Sequence, residues 1–492
     1  MAAPVSETAR LGSFERVREA LRGRRLAWPL LISGAAVAGV ALRAWIVHSP
    51  LGTLDADEAV VGLMARHFLN GEFSVFYWGQ FYGGTQEVLA TAAWFAVVGS
   101  SVTALKVVPA FLLALTVLVV WRLGTKTVGE PGARVGAALM WVWPPFLVYA
   151  STKARGIYGI ALLSAVVALW MAVRLKERDS WFDAVVLGLA VGSGIWASQQ
   201  SLLLTVPAIA WLVWRRSTVV RLTPYAAAGA LVGAAPWIVW NVTHGFKGIL
   251  PAASGEAATS TYGSRLGDLV TTVLPEWIGA RLPYTQEWVV PPVLGVALIG
   301  GLAALVLVGA RHAPNAEPLI VVLALYPFLY AASSFTYFVD EPRYLIFLGP
   351  ILSLLIAASV RRLIPAALIL TSAVILSVAQ LVRLEDSGAF RFIGQPDDIA
   401  PVIRVLEREG QSEVVADYWI AYRLTFESGE RIIAASSGFS RYPSFEERVR
   451  QSPTPAYVFV DDALSERRAR PKLEARGYRR VPVDGWVAFI HG

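Results

Sequence analysis

Asp55, Asp57 and Glu58 place three carboxylates within four residues, shortly after a long apolar run. Clustered carboxylates repel one another unless a proton or a cation is shared, and one that keeps its charge can serve as a general base. The same pattern also suits a solvated helix start, where acidic side chains complement the macrodipole. Gln80, Tyr82, Gly83, Gly84 and Glu87 follow as a polar, glycine-containing cluster in the same stretch. Lys153 and Arg155 occupy a short turn between two apolar runs, and Arg343 stands beside Glu341. Each of these cations alone could snorkel or pair with a neighbouring acid. As a set they suit an anionic headgroup such as a phosphate.

The elements that must position these residues are membrane elements. Of 492 residues, 55% are hydrophobic and 16% charged, where a soluble domain runs to about 25% charged. Apolar runs of about twenty residues recur, enough to cross about 30 Å of hydrocarbon. The net charge of +7 is spread over short clusters between these runs, which excludes a nucleic-acid stripe. The absence of cysteine excludes thiolate metal sites, disulfides and thiol chemistry. Five histidines without a close pair argue against a histidine-rich metal site, and a carboxylate-bound divalent ion stays open.

Spans are expected at roughly 26–48, 104–122, 134–151, 156–174, 182–198, 201–214, 224–241, 289–310, 317–335, 345–360 and 363–382, about eleven helices. With the N-terminus inside, the basic residues of each inner loop fall together: Arg122, Lys126 and Arg134; Arg174, Lys176 and Arg178; Arg215, Arg216 and Arg221; Arg311; Arg361 and Arg362. Counting Gln86–Val98 as a further span would invert every later loop, so it is expected to lie along the outer interface, where Tyr77, Trp78, Tyr82 and Trp94 suit the headgroup level. The first outer loop then covers residues 49–103 and opens on a short helix from Asp55 to Asn70, closed by Gly71. Arg43, near the outer end of the first span, reads as a snorkelling or paired residue with a ligand role as the alternative. The division is a basic cytoplasmic segment at 1–25, a transmembrane domain at 26–384 and an outer α/β domain at 385–492, with strand-like runs at Val414–Ala416, Ile432–Ala435 and Tyr457–Val460.

Asp57-Glu58-Ala59 in the first outer loop is followed by Gly79-Gln80-Phe81-Tyr82-Gly83, Glu87, an interfacial helix and, later, Glu341-Pro342-Arg343-Tyr344. This resembles the polytopic GT-C glycosyltransferases, specifically bacterial members of the protein mannosyltransferase and aminoarabinose transferase superfamily, which are glycosyltransferase family 39-like. The resemblance covers the membrane domain and is strongest from Asp55 to Tyr158. It implies a GT-C-type helical membrane fold in the bacterial inner membrane with the site on the extracytoplasmic side. It further implies a polyprenyl-phosphate-linked sugar as donor, and a glycan, lipid or protein hydroxyl as acceptor. Asp57 would be the general base of an inverting transfer and Glu58 the second catalytic carboxylate. Lys153, Arg155 and Arg343 would hold the donor phosphate, with Asp55, Gln80, Tyr82 and Glu87 in support. One departure is visible: Val88-Leu89 follows Glu87 where the aminoarabinose-transferase pattern has Lys-Pro, so Lys153 or Arg155 would substitute. The C-terminal domain would recognise the acceptor through Tyr418, Trp419, Tyr422 and Arg423, or serve only as a cap. The competing reading is a polytopic lipid or glycan transporter or flippase, which would carry ionisable residues near the bilayer midplane.

Overall fold

The computed structural model describes residues 7–249 and 259–492. The side chains up to residue 25 lie outside the described set, and with them the arginines from Arg10 to Arg25 of the expected cytoplasmic segment. The chain runs through α1 (Glu7–His48), α2 (Ala56–Leu69), α3 (Gln86–Val98) and α4 (Val102–Thr127). Next come α5 (Glu130–Val142), α6 (Pro145–Ala150), α7 (Tyr158–Glu177), α8 (Trp181–Ala197), α9 (Leu202–Arg215), α10 (Thr223–Gly233) and α11 (Ala235–Thr243). Short α12 (Tyr262–Asp268) and α13 (Leu274–Ile278) precede α14 (Pro292–His312), α15 (Glu317–Ala332), α16 (Gly349–Ala358) and α17 (Leu363–Ser387).

Leu26–His48 of α1, together with α4, α7, α14 and α17, are long and apolar enough to cross a membrane, while Gln199–Arg215 and Ser217–Gly233 pass together with a bend of 117°. Gln86–Val98, Trp181–Ala197, Glu317–Ala332 and Arg343–Ala358 are shorter apolar helices. This is the architecture of a multi-pass membrane protein. The apolar runs expected at 134–151 and 224–241 are each divided in two, beside Pro144 and Pro145 and beside Pro236. A proline inside a helix lacks the N–H that would continue the ladder. α8 and α10 cross almost backbone to backbone: Gly188 and Gly192 face Gly229 and Gly233, and a Cβ at Gly188 would stand 1.8 Å from the Ala226 carbonyl oxygen. Small residues at four-residue spacing permit that approach.

The two ends of the bundle differ. At the C-terminal ends of α4 and α7, Lys126 pairs with Glu177, Arg215 with Glu317 and Arg216 with Asp179, joining the basic loops to one another. The N-terminal ends of the same helices meet the loop of residues 49–103, the turn at 151–157 and the segment around Glu341.

A small α/β domain completes the chain. β1 (Glu413–Ala416), β2 (Ile433–Ser436), β3 (Ala456–Val460), β4 (Tyr478–Val483) and β5 (Trp486–His491) form one sheet in the order β2-β1-β3-β5-β4. β1 is parallel to β2 and β3, as the intervening α19 (Tyr418–Glu427) and α20 (Pro443–Arg450) require. β5 is antiparallel to β3 and β4, and the β4–β5 hairpin turns at Asp484-Gly485, both at positive φ, as a tight Asp-Gly hairpin does. α18 (Ala400–Arg408) and α21 (Leu464–Glu474) flank the sheet. The domain docks on α2: Tyr422 and Phe426 of α19 share a buried cluster with Val60, Val61 and Met64, and Phe426 lies where a side chain at Gly62 would be.

Candidate active site

α2 starts with a reciprocal cap. Asp55 Oδ1 accepts the Glu58 N–H at 2.9 Å, and Glu58 Oε2 accepts the Asp55 N–H at 3.4 Å. Consecutive helical residues point about 100° apart, so Asp57 and Glu58 meet different surroundings.

Glu58 points inward, fully buried. Its carboxylate accepts from Lys106 Nζ at 2.7 and 2.9 Å, from Lys153 Nζ at 3.1 Å and from the Ala154 N–H at 3.1 Å. Burial alone would raise the Glu58 pKa, but the two lysines outweigh it and lower the carboxyl to about 2. Lys153 also donates to the Thr53 carbonyl at 2.9 Å, and Glu58 raises its pKa despite burial.

Asp57 is the open member, with a quarter of its side chain exposed. Its Oδ1 accepts from the Tyr418 hydroxyl at 2.5 Å and from Arg441 Nη2 at 3.3 Å, while Oδ2 faces Arg155 Nη1 at 3.8 Å. Arg155 also pairs with Asp55 at 3.1 Å and with Glu341 at 3.5 Å. Arg343 stands 3.7 Å from Glu341, with its guanidinium over Phe338, and Tyr284 donates to Glu341 at 2.8 Å. Burial would raise the Glu341 pKa, but Arg155 and Arg343 hold it down. Four segments far apart in sequence thus meet the C-terminal domain at one place.

Asp57, Arg155, Arg343 and Arg441 line one cavity of about 550 Å³. Its lining also includes Gln80, which accepts from Arg441 Nη1 at 2.9 Å, and the half-exposed Tyr82. Leu202, Leu203, Val206, Trp237 and Leu329 of α9, α11 and α15 add apolar wall, and Gln199, Gln200 and Thr336 lie among them. A second, small cavity of about 60 Å³ shares Arg155, Tyr158 and Arg343 with the first and contains Lys153 and Glu87. Glu87 is buried there, accepting the Gly156 N–H at 3.1 Å, and burial pushes its pKa up to about 7. Glu58 lines neither cavity.

Among the described residues no three His, Asp or Glu side chains form a group that could hold a metal ion. The oxygens of Asp55, Asp57, Glu58 and Glu341 are engaged by lysine and arginine instead. Arg43 turns inward and bonds Ser151 Oγ at 2.9 Å and the Gly39 and Trp141 carbonyls, a paired rather than a snorkelling residue. His67 bridges Glu72 and Glu430, and His244 stacks on Trp240.

Of the residues expected to recognise an acceptor, Tyr418 reaches Asp57, whereas Tyr422 is buried and accepts the Arg441 N–H at 2.6 Å. Trp419 stacks on Phe392, and Arg423 is buried, binding the Pro396 and Asp397 carbonyls and Glu427. Arg423 therefore holds the domain together and is turned away from the cavity. Sequence reading misses Lys106 and Arg441. Lys106 had a signal, since an ionisable residue one turn into an apolar span calls for a buried partner. Arg441, 384 residues from Asp57, had none.

The sequence matches no curated protein. The family model for dolichyl-phosphate-mannose-protein mannosyltransferases matches residues 88–240, which includes Lys153 and Arg155 and begins after Asp57. In structure, the chain is similar to apo ArnT from Cupriavidus metallidurans, with a TM-score of 0.60 at 12% identity over 96% of this chain and 98% of that one. The chain has the fold of the GT-C membrane glycosyltransferases. ArnT bound to undecaprenyl phosphate aligns with a TM-score of 0.54 at 14% identity, over 94% of this chain and 97% of that one. The archaeal oligosaccharyltransferase AglB from Archaeoglobus fulgidus, in complex with an inhibitory peptide and a dolichol-phosphate, aligns at 0.50 and 11% identity, over 95% of this chain and 74% of that one. At these coverages the GT-C likeness runs through both the membrane helices and the C-terminal domain.

Proposed function

We propose that this chain transfers a sugar from a polyprenyl-phosphate donor to a hydroxyl acceptor at the extracytoplasmic face of a bacterial inner membrane, with inversion and with Asp57 as general base. The observation that carries the reading is the lining of one cavity, which joins Asp57 and three arginines to apolar side chains of α9, α11 and α15. A polyprenyl phosphate would lay its chain against those apolar side chains and bring its phosphate beside Arg155 and Arg343. Both arginines line that cavity, and a guanidinium donates well to an anionic oxygen. ArnT with undecaprenyl phosphate, a protein of the same fold, supports a lipid phosphate as ligand class.

In the reaction, Asp57 takes the proton of the acceptor hydroxyl as that oxygen bonds to the anomeric carbon. The bond from that carbon to the phosphate oxygen breaks on the opposite face, and its electron pair leaves with polyprenyl phosphate. Arg155 and Arg343 stabilise the developing negative charge, while Glu58, Lys106 and Lys153 hold α2 in place beneath. Purified protein in nanodiscs, offered undecaprenyl-phosphate-linked radiolabelled mannose, glucose or arabinose together with bacterial membrane acceptors, tests this. Wild type should release undecaprenyl phosphate and label an acceptor, and Asp57→Asn should not. Equal transfer by both proteins would remove Asp57 as the base, and movement of intact donor across the bilayer of sealed proteoliposomes without transfer would favour a flippase.

A further inference from the structure

The C-terminal domain reaches into the cavity through one side chain, Arg441, in the loop between β2 and α20. Its backbone is seated firmly. The Arg441 and Tyr442 N–H groups both point at the Tyr422 hydroxyl, at 2.6 and 3.2 Å, and its Cα lies so close to Gly79 that a Cβ there would stand at 2.9 Å. Each of the three guanidinium nitrogens donates: Nε to the Tyr418 hydroxyl at 3.0 Å, Nη1 to Gln80 Oε1 at 2.9 Å and Nη2 to Asp57 Oδ1 at 3.3 Å. Tyr418 in turn donates to the same Oδ1, and the Tyr77 hydroxyl holds the Asp57 carbonyl at 2.5 Å.

The consequence is an asymmetry within one carboxylate. Oδ1 is occupied by two donors from the C-terminal domain, while Oδ2 has only Arg155 at 3.8 Å, beyond hydrogen-bond reach. A free aspartate carboxylate swings between orientations with little resistance, yet a general base must present a lone pair along one line to the incoming hydroxyl. We propose that Arg441 is a positioning residue of the transfer reaction: with Tyr418 it pins Oδ1 of Asp57, so that Oδ2 receives the acceptor's proton, and it makes the C-terminal domain an obligatory part of the reaction centre. This rests on Asp57 being the base. Arg441 itself gives up no proton. Oδ2 gains the hydroxyl proton as the new bond to the anomeric carbon forms and the phosphate leaves with its electron pair.

The test uses the full chain in nanodiscs and whichever of the three undecaprenyl-phosphate-linked sugars the wild type turns over. Arg441→Ala is expected to lower kcat by about 100-fold, the scale of a small misplacement of a reacting group, with the donor KM within about threefold of wild type. Arg441→Lys should recover part of the loss. Added guanidinium chloride, at concentrations that leave the wild type folded, should restore turnover to Arg441→Ala and none to Asp57→Asn. Tyr418→Phe, which removes a single oxygen, should lower kcat by about 10-fold. Wild-type kcat in Arg441→Ala alongside an inactive Asp57→Asn would overturn the proposal and leave the base assignment standing. An active Asp57→Asn would instead overturn the assignment beneath it. Loss of activity with no response to lysine or guanidinium would mean that Arg441 only holds the domain in place, which also overturns the proposal.

Discussion

Beneath α2, Glu58, Lys106 and Lys153 form a closed knot of charge whose carboxylate lines neither cavity, whereas one residue earlier Asp57 lines a space of about 550 Å³. Both carboxylates face two cations, so charge alone does not separate them. The difference lies in what remains unused. Every Glu58 oxygen is committed to a lysine or a backbone N–H, and burying such a pair stabilises only while its geometry is complete. Asp57 lines the cavity and keeps one oxygen, Oδ2, free of hydrogen bonds. Neighbouring acids can thus divide into one that holds the scaffold and one that is left for chemistry.

The comparison breaks most visibly at Asp57. Asp57→Asn should cut transfer by about 100- to 10,000-fold, the usual worth of a general base, while the thermal midpoint hardly moves; a large fall in that midpoint would show that Asp57 is structural as well. Glu58→Gln should do the reverse, costing about 3–5 kcal/mol of stability by stranding two buried ammonium groups. Its carboxyl is held down near 2, so its contribution is full above the ordinary carboxylate range and fades as pH falls from there towards 2. Acid titration of unfolding in wild type and Glu58→Gln would reveal this as a gap that closes at low pH, and a constant gap would count against it.

Arg343→Ala tests the donor side of the cavity. It should raise the donor KM by about tenfold, about 1.4 kcal/mol, with little effect on the acceptor KM. If both constants rose alike, Arg343 would serve the cavity wall in general rather than the lipid phosphate.

The smallest effect concerns the seam between α2 and the C-terminal domain. Both ring nitrogens of His67 face carboxylates, Glu72 at 2.7 Å and Glu430 at 3.0 Å; Arg66 stands 3.7 Å from Glu430, and the Tyr442 hydroxyl donates to Glu72. Burial alone would lower the His67 pKa, but the hydrogen bonds to Glu430 and Glu72 outweigh it and raise it. A raised histidine contributes fully below its ordinary pKa and loses that contribution as pH climbs through the raised value. His67→Gln should therefore lower the thermal midpoint modestly at pH 6 and leave it unchanged at pH 9. An equal loss at both values would assign His67 to packing against Trp78 and Tyr442 alone.

Local sequence determined a good deal of this molecule. The apolar runs at 26–48, 104–122, 156–174, 289–310 and 363–382 mark the five single helices that are long and apolar enough to cross a membrane. Asp55 and Glu58, three residues apart, start α2 through a reciprocal cap, an interaction confined to neighbours in the chain. The runs at 414–416, 432–435 and 457–460 mark three of the five strands, and the β4–β5 hairpin carries an equally local signal in Asp484-Gly485. Lys106 was legible as a buried cation, though not its partner. What only the tertiary structure decided is which acid faces the cavity and what touches it. Tyr418 and Arg441 lie 361 and 384 residues from Asp57, and they arrive there because α19 packs on Gly62 of α2. No periodicity within either segment encodes that meeting, since it depends on how two separately folded surfaces fit together.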